Sequence, residues 1–204
     1  MGAPARSRQE GQRVARATYA DIEGLPEHVV GEILDGELFV SPRPAPTHAR
    51  TGSTLGYALG PPFDRPPGSG GGQPGGWWLL DEPELHLGDD VLVPDMAGWR
   101  RERMPRFPRE AFFRLPPDWA CEVLSLRTAR IDRIRKSRIY AREKVGHLWL
   151  LDPLAHTLEV CRLLPEGYAL VALHEGDEVV RVEPFAEIEL RLSDLWLPEE
   201  AAPE

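Results

Sequence analysis

Cysteines and long apolar runs are both scarce in this chain, and each scarcity excludes a class of protein. Cys121 and Cys161 are its only cysteines, so a zinc site built from four thiolates is excluded, as is the disulfide framework of small secreted domains. We expect both thiols to be small buried apolar groups. No run of about 18 or more apolar residues occurs, so no membrane-spanning helix is predicted.

A secretory signal is also missing from the start of the sequence. Residues 1–16 are polar and include several arginines, without the apolar segment that such a signal requires. We therefore expect a cytoplasmic protein with no membrane partner. The 204 residues, of which 42% are hydrophobic and 28% charged, suit one globular domain. We predict a flexible leader over residues 1–17, a single domain over 18–197 and an acidic tail over 198–204.

Basic residues are outnumbered overall but concentrated in one part of the chain. The net charge of −9 argues against a nucleic-acid partner. Residues 100–144, however, contain 14 of the 24 basic residues and only six of the 33 acidic ones. Such a segment can present a positive face to a phosphate backbone, which keeps DNA as a candidate partner. The alternative is that these arginines only solvate a surface helix and a loop.

Local patterns predict a mixed α/β fold that starts with a β-hairpin. Two apolar runs within residues 32–40 flank Asp35-Gly36, a pair suited to the positive φ angles of a type I′ turn. Residues 46–59 have the apolar spacing of a helix. Residues 60–76 are dominated by glycine and proline, which predicts a mobile surface loop with no regular element, and residues 77–80 predict a strand.

The second half of the chain predicts the core of a β-sheet. Residues 119–124 are typical of a core strand, residues 128–145 of a helix, and residues 147–153 of another strand. Residues 91–99 are typical of a core strand that Pro94 interrupts, which predicts a local bend at Asp95. The side of this helix that faces the sheet is predicted to contain Ile131, Ile134, Arg138, Ala141 and Val145. Because strand, helix and strand in succession form a right-handed crossover, the strands on either side should be parallel neighbours. Alternating runs within residues 157–192 predict an antiparallel extension of the sheet.

Two acidic residues interrupt the apolar core strands. Asp95 follows residues 91–94, and Glu122 lies within residues 119–124. A lone buried carboxylate is costly and tends to take up a proton, so two such residues usually share a cation or a hydrogen-bond network. Their hard oxygen ligands suit Mg²⁺, or Mn²⁺ in its place, and such an ion polarises a phosphoryl group and supplies a hydroxide-like water. Two carboxylates that share a divalent ion are typical of enzymes that hydrolyse phosphodiester bonds.

The order of these residues gives the chain a resemblance to a known family. After the hairpin and Ser41-Pro42, the motif continues with Pro94-Asp95, Glu122-Val123-Leu124-Ser125, Asp132, Lys136, Tyr140, Gly146 and residues 148–153. Over residues 19–196 this order resembles the Uma2 family, a branch of the PD-(D/E)XK nuclease superfamily. The resemblance implies a restriction endonuclease-like core, in which helices flank a mixed β-sheet with an N-terminal hairpin and a C-terminal antiparallel extension. It also implies a Mg²⁺-dependent endonuclease that acts on DNA, and it favours a homodimer.

The chain departs from the superfamily pattern at Leu124. Side chains alternate along a strand, so Glu122 and residue 124 share a face, and the superfamily has a lysine at the second position. The resemblance implies that Lys136, on the following helix, replaces it. Asp132, Lys136 and Tyr140 are spaced by four and are predicted to lie along one side of that helix. On the residues alone, an ordinary exposed ion pair between Asp132 and Lys136 is the simpler interpretation.

The resemblance also assigns roles to individual residues. It implies that Asp95 and Glu122 bind the metal and that Lys136 orients or activates the water. Glu32, in the hairpin, is expected to approach the metal as a further ligand and catalytic residue, although its pattern is equally that of a solvated hairpin glutamate. His48 begins the predicted helix and either faces the site or meets solvent.

Two other functions are compatible with the same residues. Leu124 and the acidic net charge are also typical of a catalytically weak or inactive module with the same fold, which would bind nucleic acid or regulate a partner. A pair of acids also suits a hydrolase of sugars, but no sugar-binding aromatic residues accompany Asp95 and Glu122. Metal binding distinguishes the enzyme from the module, because only the enzyme requires an ion.

Overall fold

Two large sheets, one small sheet and a few helices make up the computed structural model, which describes residues 16–68, 72 and 74–197. The strands are β1 (Val29–Leu34), β2 (Glu37–Pro42), β3 (Trp77–Asp81), β4 (Leu85–Leu87), β5 (Asp90–Leu92), β6 (Met96–Arg100), β7 (Trp119–Val123), β8 (His147–Asp152), β9 (Thr157–Leu164), β10 (Gly167–Glu175), β11 (Val179–Val180) and β12 (Leu190–Arg191). The helices are α1 (Tyr19–Glu23), α2 (Pro46–Phe63), α3 (Ala129–Ile131), a π-helical segment (Asp132–Lys136), α4 (Ser137–Arg142) and a 3₁₀ turn (Leu192–Asp194). This combination confirms the predicted mixed α/β class.

Most of the expected leader and all of the expected tail fall outside the described residues. The description covers only residues 16 and 17 of the leader and none of residues 198–204. Both segments stay predictions, and so does the single domain over residues 18–197. Within the described part of the chain, no helix is long and apolar enough to cross a membrane.

The N-terminal hairpin forms as predicted. β1 and β2 pair antiparallel with Leu34 opposite Glu37, and the turn residues Asp35 and Gly36 have φ angles of 54° and 84°. A type I′ turn requires positive φ at both positions, and aspartate and glycine adopt it at low cost. β1 pairs on its other side with β5, so the hairpin forms half of a four-stranded sheet with the order β2-β1-β5-β4.

Helix α2 is longer than the sequence pattern predicts. It continues past Gly60 through two prolines and ends at Phe63, so the prediction of no regular element in residues 60–76 is wrong for the first four of them. Phe63 is fully buried, and its ring lies 4.7 Å from the ring of Phe185. Burial of this side chain stabilises the last turn. The backbone N–H of Asp64 closes the turn by donating to the carbonyl oxygen of Gly60 at 2.8 Å.

The predicted strand over residues 91–99 is two strands in different sheets. β5 belongs to the four-stranded sheet and β6 to the six-stranded sheet, and the chain crosses between them at Val93-Pro94-Asp95. Pro94 has no N–H and cannot continue a strand ladder, which explains why pairing stops here. The crossing leaves Asp95 at the junction of the two sheets, immediately before β6.

The larger sheet has the strand order β10-β9-β8-β7-β6-β3. β7 and β8 are parallel, with Glu122 opposite Leu150, and the other neighbours are antiparallel. This pairing agrees with the predicted crossover and with the antiparallel extension through β9 and β10. The last of the predicted alternating runs, residues 188–192, does not join the extension. Its residues Leu190–Arg191 pair instead with Val179–Val180 in a separate two-stranded sheet.

The two faces of β7 contribute to different cores. One core contains Trp119, Cys121 and Val123. The other contains Ala120 and Leu124 together with Tyr140 of α4. Because side chains alternate along a strand, Glu122 points to the second face, toward the helical residues that follow β7.

Gly98→Ala is predicted to destabilise the six-stranded sheet. A Cβ atom here would lie 2.9 Å from Cδ2 of Leu79 and 3.2 Å from the rings of Trp77 and Trp119. Accommodating it should lower the free energy of unfolding by about 1–3 kcal/mol. Gly52→Ala, in helix α2, is the matched control, because nothing lies within 4 Å of the added atom and alanine favours a helix by about 1 kcal/mol. Urea unfolding followed by circular dichroism measures both, and equal stability of the two variants would contradict the prediction.

Candidate active site

A cavity of about 500 Å³ is lined by the hairpin, the junction between the sheets, the end of β7 and the helical residues that follow it. Five carboxylates and one amine line it: Glu32, Glu82, Asp95, Glu122, Asp132 and Lys136. The structure thus brings all four predicted site residues, Asp95, Glu122, Lys136 and Glu32, to one cavity. They come from three distant parts of the sequence.

The amine of Lys136 lies among the carboxylates. Its Nζ is 3.0 Å from Oε2 of Glu122, 3.0 Å from Oε1 of Glu32 and 3.5 Å from Oδ1 of Asp132. It also donates a hydrogen bond to the carbonyl oxygen of Val93 at 3.3 Å. Burial disfavours charge on this amine, but the carboxylates outweigh burial and raise the pKa of Lys136 well above its usual range. Lys136 is therefore a buried cation, and the interpretation as an exposed ion pair is wrong.

Glu122 accepts a hydrogen bond on each of its carboxylate oxygens. Lys136 donates to Oε2, and the hydroxyl of Tyr140 donates to Oε1 at 2.6 Å. Glu122 is only 1% exposed. Burial raises the pKa of its carboxyl well above the usual range, Lys136 lowers it, and the neighbouring carboxylates raise it again. Additional positive charge beside Glu122 would therefore stabilise its ionised form.

Asp95 connects the junction of the sheets to β7 and to α2. Its Oδ2 accepts a hydrogen bond from the backbone N–H of Val123 at 2.7 Å, and its Oδ1 lies 2.6 Å from Nε2 of His48. The first bond holds Asp95 beside the strand residue that follows Glu122. The second shows that His48 faces the cavity rather than solvent. Burial lowers the pKa of His48, but its contact with Asp95 outweighs burial, and the net shift is upward.

Glu32 reaches the cavity from the hairpin and is not a solvated glutamate. It is 8% exposed, and its Oε1 accepts a hydrogen bond from the backbone N–H of Val93 at 2.8 Å. The carbonyl of the same residue accepts from Lys136. The backbone N–H and C=O of Val93 therefore both bind site residues. They are available because strand pairing stops at Pro94, so neither group is used in a strand ladder.

A π-helical segment aligns the helical side chains of the site. The backbone N–H of Ser137 donates to the carbonyl of Asp132, five residues earlier. In a regular α-helix, side chains eight residues apart are rotated by about 80°. The wider π turn advances each residue by a smaller angle, which offsets this rotation. Asp132, Lys136 and Tyr140 are accordingly all buried.

The predicted inward face of this helix is wrong at Ile134 and Arg138, although Val145 is buried and Ile131 packs against the core. Ile134 is 40% exposed and Arg138 is also exposed, whereas Asp132 and Lys136 are buried. The spacing of apolar residues indicates which face of a helix is buried only when the charged residues of that helix are exposed to water. Here the charged side chains satisfy one another inside the protein, so the polar line of the helix faces inward. The helix is also not one continuous α-helix over residues 128–145, because the π-helical segment interrupts it and α4 ends at Arg142.

The sequence patterns do not assign Asp132 or Tyr140 to catalysis or metal binding, yet both contact the candidate residues. Their spacing of four on either side of Lys136 is the signal that connects them to it. A second signal lies in composition, because Lys136 and Lys144 are the only lysines among 24 basic residues. A lysine at one position of an otherwise arginine-rich helix indicates that lysine and arginine are not interchangeable there.

Ion pairs neutralise part of the basic segment over residues 100–144. Several of its arginines pair with carboxylates from elsewhere in the chain: Arg101 with Asp64, Arg133 with Glu159, Arg135 with Glu37, and Arg142 with Asp35 and Asp90. The surplus of positive charge in the sequence is therefore divided among separate contacts in the fold.

The donor set of the cavity is compatible with a hard divalent cation. Five carboxylates stand against the amine of Lys136 and two arginines, which leaves an excess of negative charge. Among the described residues, no three acidic, histidine or cysteine side chains converge closely enough to hold a metal ion, and Lys136 lies between Glu122 and Glu32 instead. Mg²⁺ needs only one or two protein carboxylates when waters and a substrate phosphate complete its shell. Asp95 and Glu122, with Glu32 nearby, provide that number.

Comparisons with known proteins agree with this fold. The model of the Uma2 family, described as "Putative restriction endonuclease", matches residues 16–193. No curated protein matches the chain. A crystal structure of "a putative nuclease belonging to DUF820" from Anabaena variabilis aligns with a TM-score of 0.66 at 23% identity, over 88% of this chain and 97% of that one. At this level of identity the likeness concerns the fold alone, and it confirms the predicted fold class.

Lys136→Met is predicted to destabilise the protein more at pH 8 than at pH 5. Removing one partner of a buried ion pair costs about 3–5 kcal/mol. Burial raises the pKa of both Glu122 and Asp132, so ionising them as the pH rises costs folding free energy, and protonation at low pH removes that cost. Without the amine this cost is no longer offset, so the loss of stability should grow with pH.

Urea unfolding at the two pH values measures the effect of Lys136→Met. Lys144→Met is the matched control, because it removes the other lysine from an exposed position and should change the free energy of unfolding by less than about 0.5 kcal/mol. An equal loss of stability at pH 5 and pH 8 for Lys136→Met would show that the amine does not offset buried carboxylates.

Proposed function

This chain belongs to the Uma2 family, and we propose that it is a Mg²⁺-dependent endonuclease that hydrolyses phosphodiester bonds in DNA. One observation carries the proposal: the amine of Lys136 lies 3.0 Å from carboxylate oxygens of both Glu122 and Glu32, in a cavity that Asp95 also lines. Carboxylates that suit a hard cation, next to an amine that can meet developing negative charge, are what this hydrolysis needs.

Asp95 and Glu122 would hold the ion, with Glu32 as a further oxygen donor. When bound, Mg²⁺ supplies Lewis-acid polarisation of the scissile phosphoryl group, and Mn²⁺ can take its place. The chain fixes these donors in advance, since His48 contacts Asp95 and Tyr140 donates to Glu122. Neighbours that hold ligands in this way raise metal affinity and preserve the geometry of the site.

Lys136 orients the attacking water and stabilises the negative charge that develops on the phosphate oxygens. It reaches the site from the helix because the strand position that would hold a lysine contains Leu124, which is 2% exposed and packs in the core. An ammonium group has three N–H donors, so it can contact a carboxylate and a phosphate oxygen together.

The proposed partner is DNA, and the proposed assembly is a homodimer. We expect a dimer because two active sites related by a twofold axis can each cleave one strand of a duplex. The homodimer and the cytoplasmic location both stay predictions.

The second candidate function is a catalytically weak or inactive module with the same fold, which binds nucleic acid or regulates a partner. The observation that favours it is again the amine of Lys136, which lies 3.0 Å from both Glu122 and Glu32 and offsets part of their charge with a group of the chain itself. A cluster that is complete in itself could persist as a structural element. The two functions differ in whether the carboxylates bind a divalent ion.

Asp95→Asn is predicted to abolish divalent-dependent cleavage of DNA. The substitution keeps the shape of the side chain and an oxygen for the N–H of Val123, but it removes the charge that would hold the ion. We expect the cleavage rate to fall by about 100-fold or more. The measurement is cleavage of a plasmid in the presence of Mg²⁺ or Mn²⁺. Replacement of Lys136 suits this test less well, because loss of a buried cation also affects folding.

Asp118→Asn is the matched control for Asp95→Asn. Asp118 lies at the other end of the paired strands β6 and β7, where it accepts a hydrogen bond from the backbone N–H of Arg100 at 2.8 Å and pairs with Arg103 at 2.7 Å. Its side chain is 21% exposed, against 18% for Asp95. Asp118→Asn should therefore lower the stability of the protein by a similar amount and still cleave DNA at the normal rate. Cleavage at the normal rate by Asp95→Asn would refute the proposed role.

Glu122→Gln is predicted to abolish binding of Mn²⁺ measured by isothermal titration calorimetry. The unmodified chain should bind the ion, because the cavity has more carboxylates than cations, and the variant loses the buried oxygen anion that the ion would share with Asp95. The enzyme therefore predicts a difference between the two proteins. If the unmodified chain binds no Mn²⁺, the non-catalytic module is the better description.

A further inference from the structure

Two arginines line the cavity beside the acidic cluster. Arg43 follows β2, and Arg127 lies in the connection between β7 and α3. Apart from Lys136 and His48, they are the basic side chains that line this cavity. Neither has a role in the proposed chemistry, so their position in the cavity lining calls for a separate explanation.

The cavity is a poor site for a polyanion unless positive groups accompany it. Five carboxylates face it, and without the two arginines they are offset only by the amine of Lys136 and by His48. A nucleic-acid strand adds a negative charge with every phosphate. Two like charges about 4 Å apart repel by about 4 kcal/mol near a protein surface. A bound ion can offset the scissile phosphate, but the phosphates on either side of it need other cations.

Arg127 is an exposed residue of the cavity lining. Within the part of the chain that the structure describes, its guanidinium makes no hydrogen bond and no ion pair. Arg133 and Arg135, from the same basic segment, are instead engaged by Glu159 and Glu37. A free guanidinium can form a bidentate contact with a phosphate without first breaking an existing ion pair.

Arg43 is held in place, and Glu82 offsets the charge of its guanidinium only in part, because the two groups are exposed and do not form a hydrogen bond. Its Nη2 donates a hydrogen bond to the carbonyl oxygen of Glu27 at 3.1 Å, whereas its Nη1 is 3.9 Å from Oε2 of Glu82, beyond hydrogen-bond distance. Pro42 and Pro44 flank it and restrict the backbone on both sides. The guanidinium is thus fixed by a neutral carbonyl and leaves donors available to an anion.

We infer that Arg43 and Arg127 bind the phosphates next to the scissile one, so that a nucleic-acid strand crosses the mouth of the cavity. The inference rests on the proposed function, because it takes the scissile phosphate to lie at Asp95 and Glu122. Both arginines are positioning residues that hold the strand and take no part in bond breaking. The substrate is then a continuous strand with phosphates on both sides of the cut, and not a mononucleotide.

The test measures binding of a fluorescent DNA duplex of about 20 base pairs by anisotropy, without divalent ions, between about 50 and 200 mM salt. Arg43→Gln and Arg127→Gln should each weaken binding about fivefold and lower the slope of log affinity against log salt by about one. Arg130→Gln is the matched control, because Arg130 is exposed and close in sequence but does not line the cavity. It should change neither quantity. In cleavage assays, the first two variants should raise KM more than they lower kcat.

Three outcomes would overturn the inference. They are unchanged binding by Arg43→Gln and Arg127→Gln, an equal loss in Arg130→Gln, and no binding by the unmodified chain. Failure of the proposed function has a different result, because DNA would then stay intact in Mg²⁺ while the arginine variants still lose affinity. A protein that cleaves DNA but binds it equally well in all variants would keep the proposed function and exclude the role of the arginines.

Discussion

A lysine amine buried among carboxylates is the interaction on which the rest of the site depends. Transfer of a charged group out of water costs several kcal/mol, and Lys136 is 5% exposed. The cost is offset because Glu122 and Glu32 both approach its Nζ to 3.0 Å, and neither anion could be buried alone. Because each charge is tolerated only with the others, the hairpin, β7 and the π-helical segment must dock together.

The elements that supply this cluster depart from regular structure where they enter it. Regular strands and helices use their own backbone groups in ladders and turns, so they leave none for a site. The break in pairing at Pro94 frees both backbone groups of Val93, which bind Glu32 and Lys136. The π-helical segment similarly gives up regular α-helical winding to bring its charged side chains onto one line. The local irregularities are stabilised by the contacts that they make possible.

Features that depend on near neighbours could be predicted from the sequence, and features that depend on distant contacts could not. The Asp35-Gly36 turn and the inward direction of Glu122 follow from local conformation and from alternation along a strand. The last turn of α2 and the inward face of the π-helical segment depend on partners elsewhere in the chain, and those predictions were wrong. The meeting of Asp95 and Glu122 was also expected from the cost of burying a lone carboxylate. The approach of Glu32 and Lys136 was expected only through the family resemblance, since no local pattern indicates where Glu32 points.

The use of lysine at this site follows from the geometry of its partners. The chain prefers arginine elsewhere, as where Arg133 binds both oxygens of Glu159 at 2.6 and 2.7 Å, a geometry that suits a planar guanidinium. The carboxylates around Lys136 come from three different elements and meet at one atom. The planar guanidinium of an arginine would pair with one of these carboxylates and leave the others unpaired, whereas the compact ammonium of a lysine can contact all three. It can also turn one donor toward a new anion while keeping the others, which a rigid bidentate pair cannot do.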